Sequence, residues 1–217
     1  SNFGFKKSRG KYILYLNSDV IVSAIDFVDL IKLMEIQKNI GALTVKVVLT
    51  TGEIDPASHR GFPTLWRSFT YFLGLEKLFF RVPFFNQLFG SYHLVHLNLK
   101  EVHEVDAITG AFFFTKRSII DKLGGFDKDF FMYGEDLEMS YQIKELGYRI
   151  IYYPLWSVLH LKYSSGLKTK DTKIKSMTRF YFYDSMKIFY KKHYSKNNPW
   201  LVNQLVDLFI DIKKKLL

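Results

Sequence analysis

Three groups of residues in this 217-residue chain carry side chains suited to chemistry. Asp19 closes the polar triplet Asn17, Ser18, Asp19 after an apolar run at residues 11–16, which places its carboxylate at the C-terminal end of an expected strand. A carboxylate there can hold a hard divalent cation whose other ligands are diphosphate oxygens and water. Glu135 and Asp136 follow a bulky apolar run and Gly134, where a helix is expected to begin. One carboxylate of such a pair can take the proton of a hydroxyl group during nucleophilic attack. His160 follows the apolar run 155–159, and a neutral imidazole suits Mn2+ better than Mg2+.

Each of these residues also has a plain structural role. Strand-end aspartates commonly cap loops, and carboxylates in a helix's first turn are stabilised by the dipole. A lone histidine behind an apolar run is commonly a satisfied core or edge residue. Gly110 and Ala111 suit either tight sheet packing or a strand passing close to a ligand. Asp127 suits the ordering of its own loop, and His59, His93, His96, His103 and His193 read as structural or surface residues.

Taken in chain order, Asn17 to Asp19, Ile108-Thr109-Gly110-Ala111, Gly124-Gly125-Phe126-Asp127, the run ending in Gly134-Glu135-Asp136, His160 and Ser164-Ser165-Gly166 resemble the family 2 glycosyltransferases of the GT-A fold. The resemblance is strongest to rhamnosyltransferase-like members that build bacterial surface polysaccharides. It implies that Asp19 and His160 bind a divalent cation, Mn2+ or Mg2+, with Asn17 standing where the metal motif's first carboxylate is usual. It further implies Asp136 as the base, Glu135 as its orienting or acceptor-binding neighbour, and Gly110 and Ala111 near the donor. Asn2 and Arg9 fall in the helix and turn before the metal strand and are expected near the donor as well.

The implied activity is inverting transfer of a sugar, rhamnose by the branch resembled, from a nucleotide diphosphate donor to a polysaccharide or lipid-linked glycan. The family ordinarily opens with a strand, helix, strand unit that holds base and ribose, and the resemblance starts after it. Donor affinity is therefore expected to be poor, and the chain inactive, unless that half is supplied. A catalytically silent GT-A-like module that binds glycan or protein is the alternative.

The elements needed to position these residues are legible in outline. Apolar periodicity and Gly, Pro and Asn punctuation predict strands at 11–16, 42–49, 105–115 and 148–153, the last ended by Pro154. Helices are predicted at 23–38, 117–123, 136–146, 173–194 and after Pro199. Alternating strand and helix imply an α/β architecture with a mixed or parallel sheet, here a partial GT-A domain with a helical C-terminal extension. Residues 1–166 form the expected partial GT-A domain, interrupted at 61–104 by an aromatic insertion with one or two short helices. Residues 167–217 form a basic, aromatic, helical segment.

Composition narrows the partners. There is no cysteine, so thiolate metal sites and disulfides are excluded. The net charge of +10 is concentrated in the tail, where residues 162–217 hold thirteen basic against four acidic residues. Basic residues beside aromatics suit an anionic membrane surface, nucleic acid, or sugar and lipid substrates. No nucleic-acid motif accompanies the charge, so nucleic acid is not expected as a partner. No apolar run reaches the roughly 20 residues that span a bilayer. The expected location is cytoplasmic, with peripheral contact to the inner face of the plasma membrane.

Overall fold

A computed structural model describes residues 2–162 and 172–216, so the motif Ser164, Ser165, Gly166 and the boundary at 166/167 lie outside the described residues. In chain order the elements are α1 (Asn2–Lys7), β1 (Tyr12–Leu16), β2 (Val20–Ile21), α2 (Phe27–Ile36), β3 (Ile40–Leu49), α3 (Leu65–Phe72), α4 (Leu75–Leu78), α5 (Pro83–Phe89), β4 (His103–Val105) and β5 (Phe112–Lys116). They continue with α6 (Arg117–Leu123), α7 (Glu135–Glu145), β6 (Arg149–His160), α8 (Thr172–His193) and α9 (Trp200–Leu216).

The strands form one mixed sheet in the order β1, β5, β3, β6, β2, with β4 also paired to β6. Only β3 and β6 run parallel; the other pairings are antiparallel. Helices cover both faces. On one, Leu30 and Met34, a turn apart on α2, pack on Leu43, Val45, Phe112 and Phe114. On the other, Ile119 and Ile120 of α6 and Met139 and Ile143 of α7 meet Ala42, Phe113, Ile150 and Tyr152. Strand alternation sends Phe112 and Phe114 to one layer and Phe113 to the other, so this aromatic strand serves both cores. The mixed sheet flanked by helices that the sequence implied is present.

Two strand expectations change. The 105–115 strand is broken: β4 ends at Val105 and β5 begins at Phe112, and the intervening loop carries Gly110 to the sheet's edge. Pro154 does not end β6. The strand continues to His160, and the register against β3 jumps between Val45/Tyr153 and Lys46/Ser157, so the extra residues around the proline are accommodated as a bulge. That continuation matters for function, since it sets His160 opposite Leu49 on one side and Val20 on the other.

The insertion holds three short helices, α3, α4 and α5, where one or two were expected. The C-terminal helix α8 lies against the sheet domain through Phe189, which packs with Ala107, Phe130 and Leu137.

Candidate active site

Asp19 and His160 meet at the end of the sheet. Asp19 precedes β2, whose pairing with β6 brings Asp19 Oδ1 to 3.3 Å from His160 Nε2, and the Leu161 N–H donates to the Asp19 carbonyl at 2.9 Å. The other face of the ring is held by a residue the sequence did not single out. Asp55, 1% exposed, stands with Oδ2 3.1 Å from His160 Nδ1 and Oδ1 3.0 Å from Lys162 Nζ. Burial alone would raise the Asp55 carboxyl, but the His160 hydrogen bond, Lys162 and the Ala57 N–H hold it down to about 2. An ionised carboxylate only accepts, so Nδ1 carries a proton toward Asp55 and Nε2 faces Asp19.

This carboxylate–histidine pairing is the arrangement that orients metal-binding imidazoles. The ring nitrogen and the carboxylate oxygen, 3.3 Å apart, are close enough to share a proton or a cation. Among the described residues no cluster of three His, Cys, Asp or Glu side chains makes a protein-only cage. One oxygen and one nitrogen ligand nonetheless fit a divalent cation that takes its remaining ligands from diphosphate and water.

Glu135 and Asp136 open α7. The chain enters that helix through two successive left-handed residues, Tyr133 at φ 68° and Gly134 at φ 80°. The first is a strained conformation for a tyrosine, costing about 1 kcal/mol or more. A Cβ on Gly134 would stand 3.0 Å from Phe130 and 3.1 Å from Ser185, so the glycine admits both the turn and the close approach of α8.

The two carboxylates have opposite surroundings. Asp136 Oδ1 accepts from Arg60 Nη2 at 2.9 Å and from the Leu137 N–H at 2.7 Å, while Oδ2 accepts from the Gly110 N–H at 3.0 Å. Burial opposes the charge on Arg60, but Asp136, then Tyr92 and Asp55, outweigh it and raise its pKa. Glu135 Oε2, by contrast, is buried without a hydrogen-bond partner. Burial first, and the neighbouring Asp136 charge second, push its carboxyl from the ordinary 4.5 up to about 7.

Glu135 lines a cleft of about 300 Å³ with Tyr15, Leu16, Asn17, Gly110 and Phe126. Tyr15 Oη is likewise buried without a partner, and burial keeps this phenol protonated to about 12 despite Arg117. An ideal Cβ on Gly110 would lie 3.9 Å from both Asn17 Oδ1 and Asp136 Cβ, so the glycine bridges the strand-end turn and the start of α7. The cleft therefore presents a neutral hydroxyl donor, a carboxamide and a poised carboxyl within one wall.

The remaining site expectations divide. Ala111 is fully buried in the core with Leu30 and Phe112, so its methyl is not available to a ligand, contrary to the expected donor contact. Asn2 spends its carboxamide on the fold, donating to the Phe126 carbonyl and accepting from the Phe126 N–H, both at 2.8 Å. It thereby clamps α1 to the loop at Gly125. Arg9 lies exposed in the turn between α1 and β1. Asp127 accepts from the Asp129 N–H at 2.9 Å, ordering its loop as expected. His93 pairs with Glu76 and His193 with Glu138, while His59 is buried, and burial ahead of His103 and His93 lowers its pKa to about 4 despite Asp55.

Arg60, Asp55 and Tyr15 stand at the candidate site without having been singled out in the sequence. Only Tyr15 had a usable signal: in an alternating strand it shares a face with Asn17 two residues on. Asp55 and Arg60 reach the site by long-range packing, with no local pattern.

The chain thus combines a mixed sheet with helices on both faces, a carboxylate beside an imidazole where β2 meets β6, and a carboxylate pair opening α7. The glycosyl transferase family group 2 model matches residues 12–206, and the chain belongs to that family. It is similar to rhamnosyltransferase WbbL of Escherichia coli (strain K12), 25% identical over 157 residues that make up 72% of this chain and 54% of that protein. It is also similar to the N-acetylglucosaminyl-diphospho-decaprenol L-rhamnosyltransferase of Mycobacterium tuberculosis (strain ATCC 25618 / H37Rv), 35% identical over 60 residues, 27% of this chain and 20% of that protein. The chain thus spans about half the length of the first relative and a fifth of the second. Among solved structures it is similar to GalNAc-T7 with UDP, GalNAc and Mn2+, at a TM-score of 0.48 and 16% identity, over 73% of this chain and 29% of that one.

Proposed function

We propose that this chain supplies the cation-binding and acceptor-side machinery of an inverting glycosyltransferase that moves a sugar, rhamnose by its relatives, from a nucleoside diphosphate donor to a lipid-linked or polysaccharide glycan. The observation that carries the reading is the contrast within Glu135 and Asp136: one carboxyl desolvated in a cleft with its Oε2 left unpartnered, the other fixed by three donors. Residues 1–166 are the catalytic part in this reading and residues 167–217 an extension, of which α8 packs on the sheet domain through Phe189.

The contrast reverses the roles the motif implied. Asp136, saturated by Arg60 and two backbone N–H groups, acts as a fixed negative charge that orients the Gly110 loop. Glu135, raised to about 7, is matched to the task of a general base near neutrality. It takes the acceptor hydroxyl's proton as that oxygen bonds to the anomeric carbon and the bond from that carbon to the diphosphate oxygen breaks, inverting the carbon's configuration. Asn17 and Tyr15 face the same cleft and offer hydrogen bonds that orient the acceptor.

Asp19 and His160 would hold Mn2+ or Mg2+, and such an ion when bound neutralises the departing diphosphate. Asp55 keeps the imidazole in the tautomer whose Nε2 faces that position.

The test is transfer from a nucleoside diphosphate rhamnose to an N-acetylglucosaminyl-diphospho-polyprenol acceptor by the full-length protein. Glu135→Gln is expected to lower kcat by about 10² to 10⁴ with little change in donor KM. Unchanged turnover in this variant would refute the assignment.

A further inference from the structure

Helix α9 is mounted with its polar side toward the protein. Its Asn203 Oδ1 accepts from Tyr190 Oη at 2.6 Å, Asp211 accepts from Lys187 Nζ at 3.2 Å, and Lys214 Nζ reaches Asp184 Oδ1 at 3.4 Å, all three partners lying on α8. The apolar stripe Leu201, Leu205, Leu208 and Ile212, spaced by four, three and four residues, consequently faces outward, with Leu205 57% and the neighbouring Trp200 73% exposed. A helix packed for its own burial would be turned the other way.

The insertion extends this surface. Phe72 of α3 contacts Phe209 of α9 at 5.1 Å between ring centroids, and Lys213 lies over both rings. Beyond that junction Leu78, Phe80, Val82, Phe84 and Leu88 are exposed, Phe84 by 72%. Lys77 and Arg81 stand exposed among them. The single acidic residue between positions 62 and 99 is Glu76, which is buried and paired with His93 at 2.7 Å. On α9 both carboxylates, Asp207 and Asp211, are paired with Lys187.

We propose that α9 and the α3–α5 insertion together form a docking surface for an anionic lipid bilayer. Aromatic and aliphatic side chains enter the headgroup boundary while Lys77, Arg81, Lys213 and Lys215 meet lipid phosphates. Charge decides between occupants. A second copy would bring like charges face to face, whereas anionic headgroups complement a surface whose exposed insertion is basic throughout. The surface shares no residue with the cleft at Glu135, so it stands independently of the sugar-transfer reading.

The experiment is co-sedimentation of the full chain with vesicles of phosphatidylcholine alone and of phosphatidylcholine with phosphatidylglycerol. The anionic vesicles are expected to bind on the order of tenfold more protein, with the difference shrinking as salt rises. The pairs Leu205→Glu with Leu208→Glu and Phe80→Glu with Phe84→Glu are each expected to lower binding on the order of tenfold at unchanged circular dichroism. In the unsubstituted protein, brominated lipids are expected to quench Trp66 and Trp200. Equal binding to both vesicles, absence of quenching, or a dimer dispersed by the Leu205→Glu pair without any vesicle binding would each overturn the proposal.

Discussion

Arg60 donates to Asp136 at 2.9 Å across 76 residues of sequence, and this ion pair separates two carboxylates that are neighbours in the chain. It fixes one and leaves the other, Glu135, with its buried Oε2 unpartnered. Arg60→Ala should therefore destabilise the fold by about 2 to 3 kcal/mol, toward the low end for a lost partner of a buried ion pair because both side chains keep some solvent contact. Urea titration measures it, and an unchanged midpoint would show that the pair is not a structural tie.

The buried Glu135 carboxyl makes stability depend on pH in a defined direction. Its pKa in the fold is raised from 4.5 to about 7, so the folded state holds the proton more tightly than the unfolded chain. That contribution is fully present below pH 4.5 and is lost as pH rises through about 7. Glu135→Gln, which keeps the neutral form at every pH, should show a smaller fall in urea midpoint between pH 5 and 8 than the unsubstituted protein. Identical falls would mean that the carboxyl is not desolvated.

Cation binding should depend on both sides of the His160 ring. Asp19→Ala removes the proposed ligand and is expected to abolish measurable Mn2+ binding in the full-length protein, read by isothermal titration calorimetry with a nucleoside diphosphate present. Asp55→Asn keeps a hydrogen-bond acceptor but not the charge that fixes the tautomer, and should weaken binding about 10- to 100-fold. Full affinity in the Asp19→Ala protein would remove the ion from this position.

Core packing offers a control on the fold alone. Phe112 is fully buried between α2 and the sheet, and Phe112→Ala should cost about 3 to 5 kcal/mol, seen as a lowered melting temperature.

Most of the sheet's strands and the helices over it were legible because they are apolar and bounded by Gly, Pro or Asn. Three features were not: the two-residue β2 is too short to show a pattern, and two others hide for different reasons. Pro154 reads as a strand terminator, yet a bulge opposite Val45 and Lys46 absorbs it, and only the β3 pairing partner reveals that. The break between Val105 and Phe112 is hidden because the loop residues Ala107, Ile108 and Ala111 are themselves core. At the site, the motif placed Glu135 and Asp136 at a helix start and said nothing of which one Arg60 would claim. Ala111 looked like a donor contact by its place beside Gly110, but the last loop residue before β5 is fully buried in the core.

The central claim is that Glu135 accepts the acceptor's proton, and the pH dependence of kcat/KM for sugar transfer by the full-length protein tests it most directly. The account predicts that the rate rises with pH and levels above about 7, where the Glu135 carboxyl is ionised, and that Glu135→Gln loses about 10² to 10⁴ of the rate together with that inflection. A Glu135→Gln protein that kept both the inflection and near-normal turnover, while Asp136→Asn lost them, would contradict it.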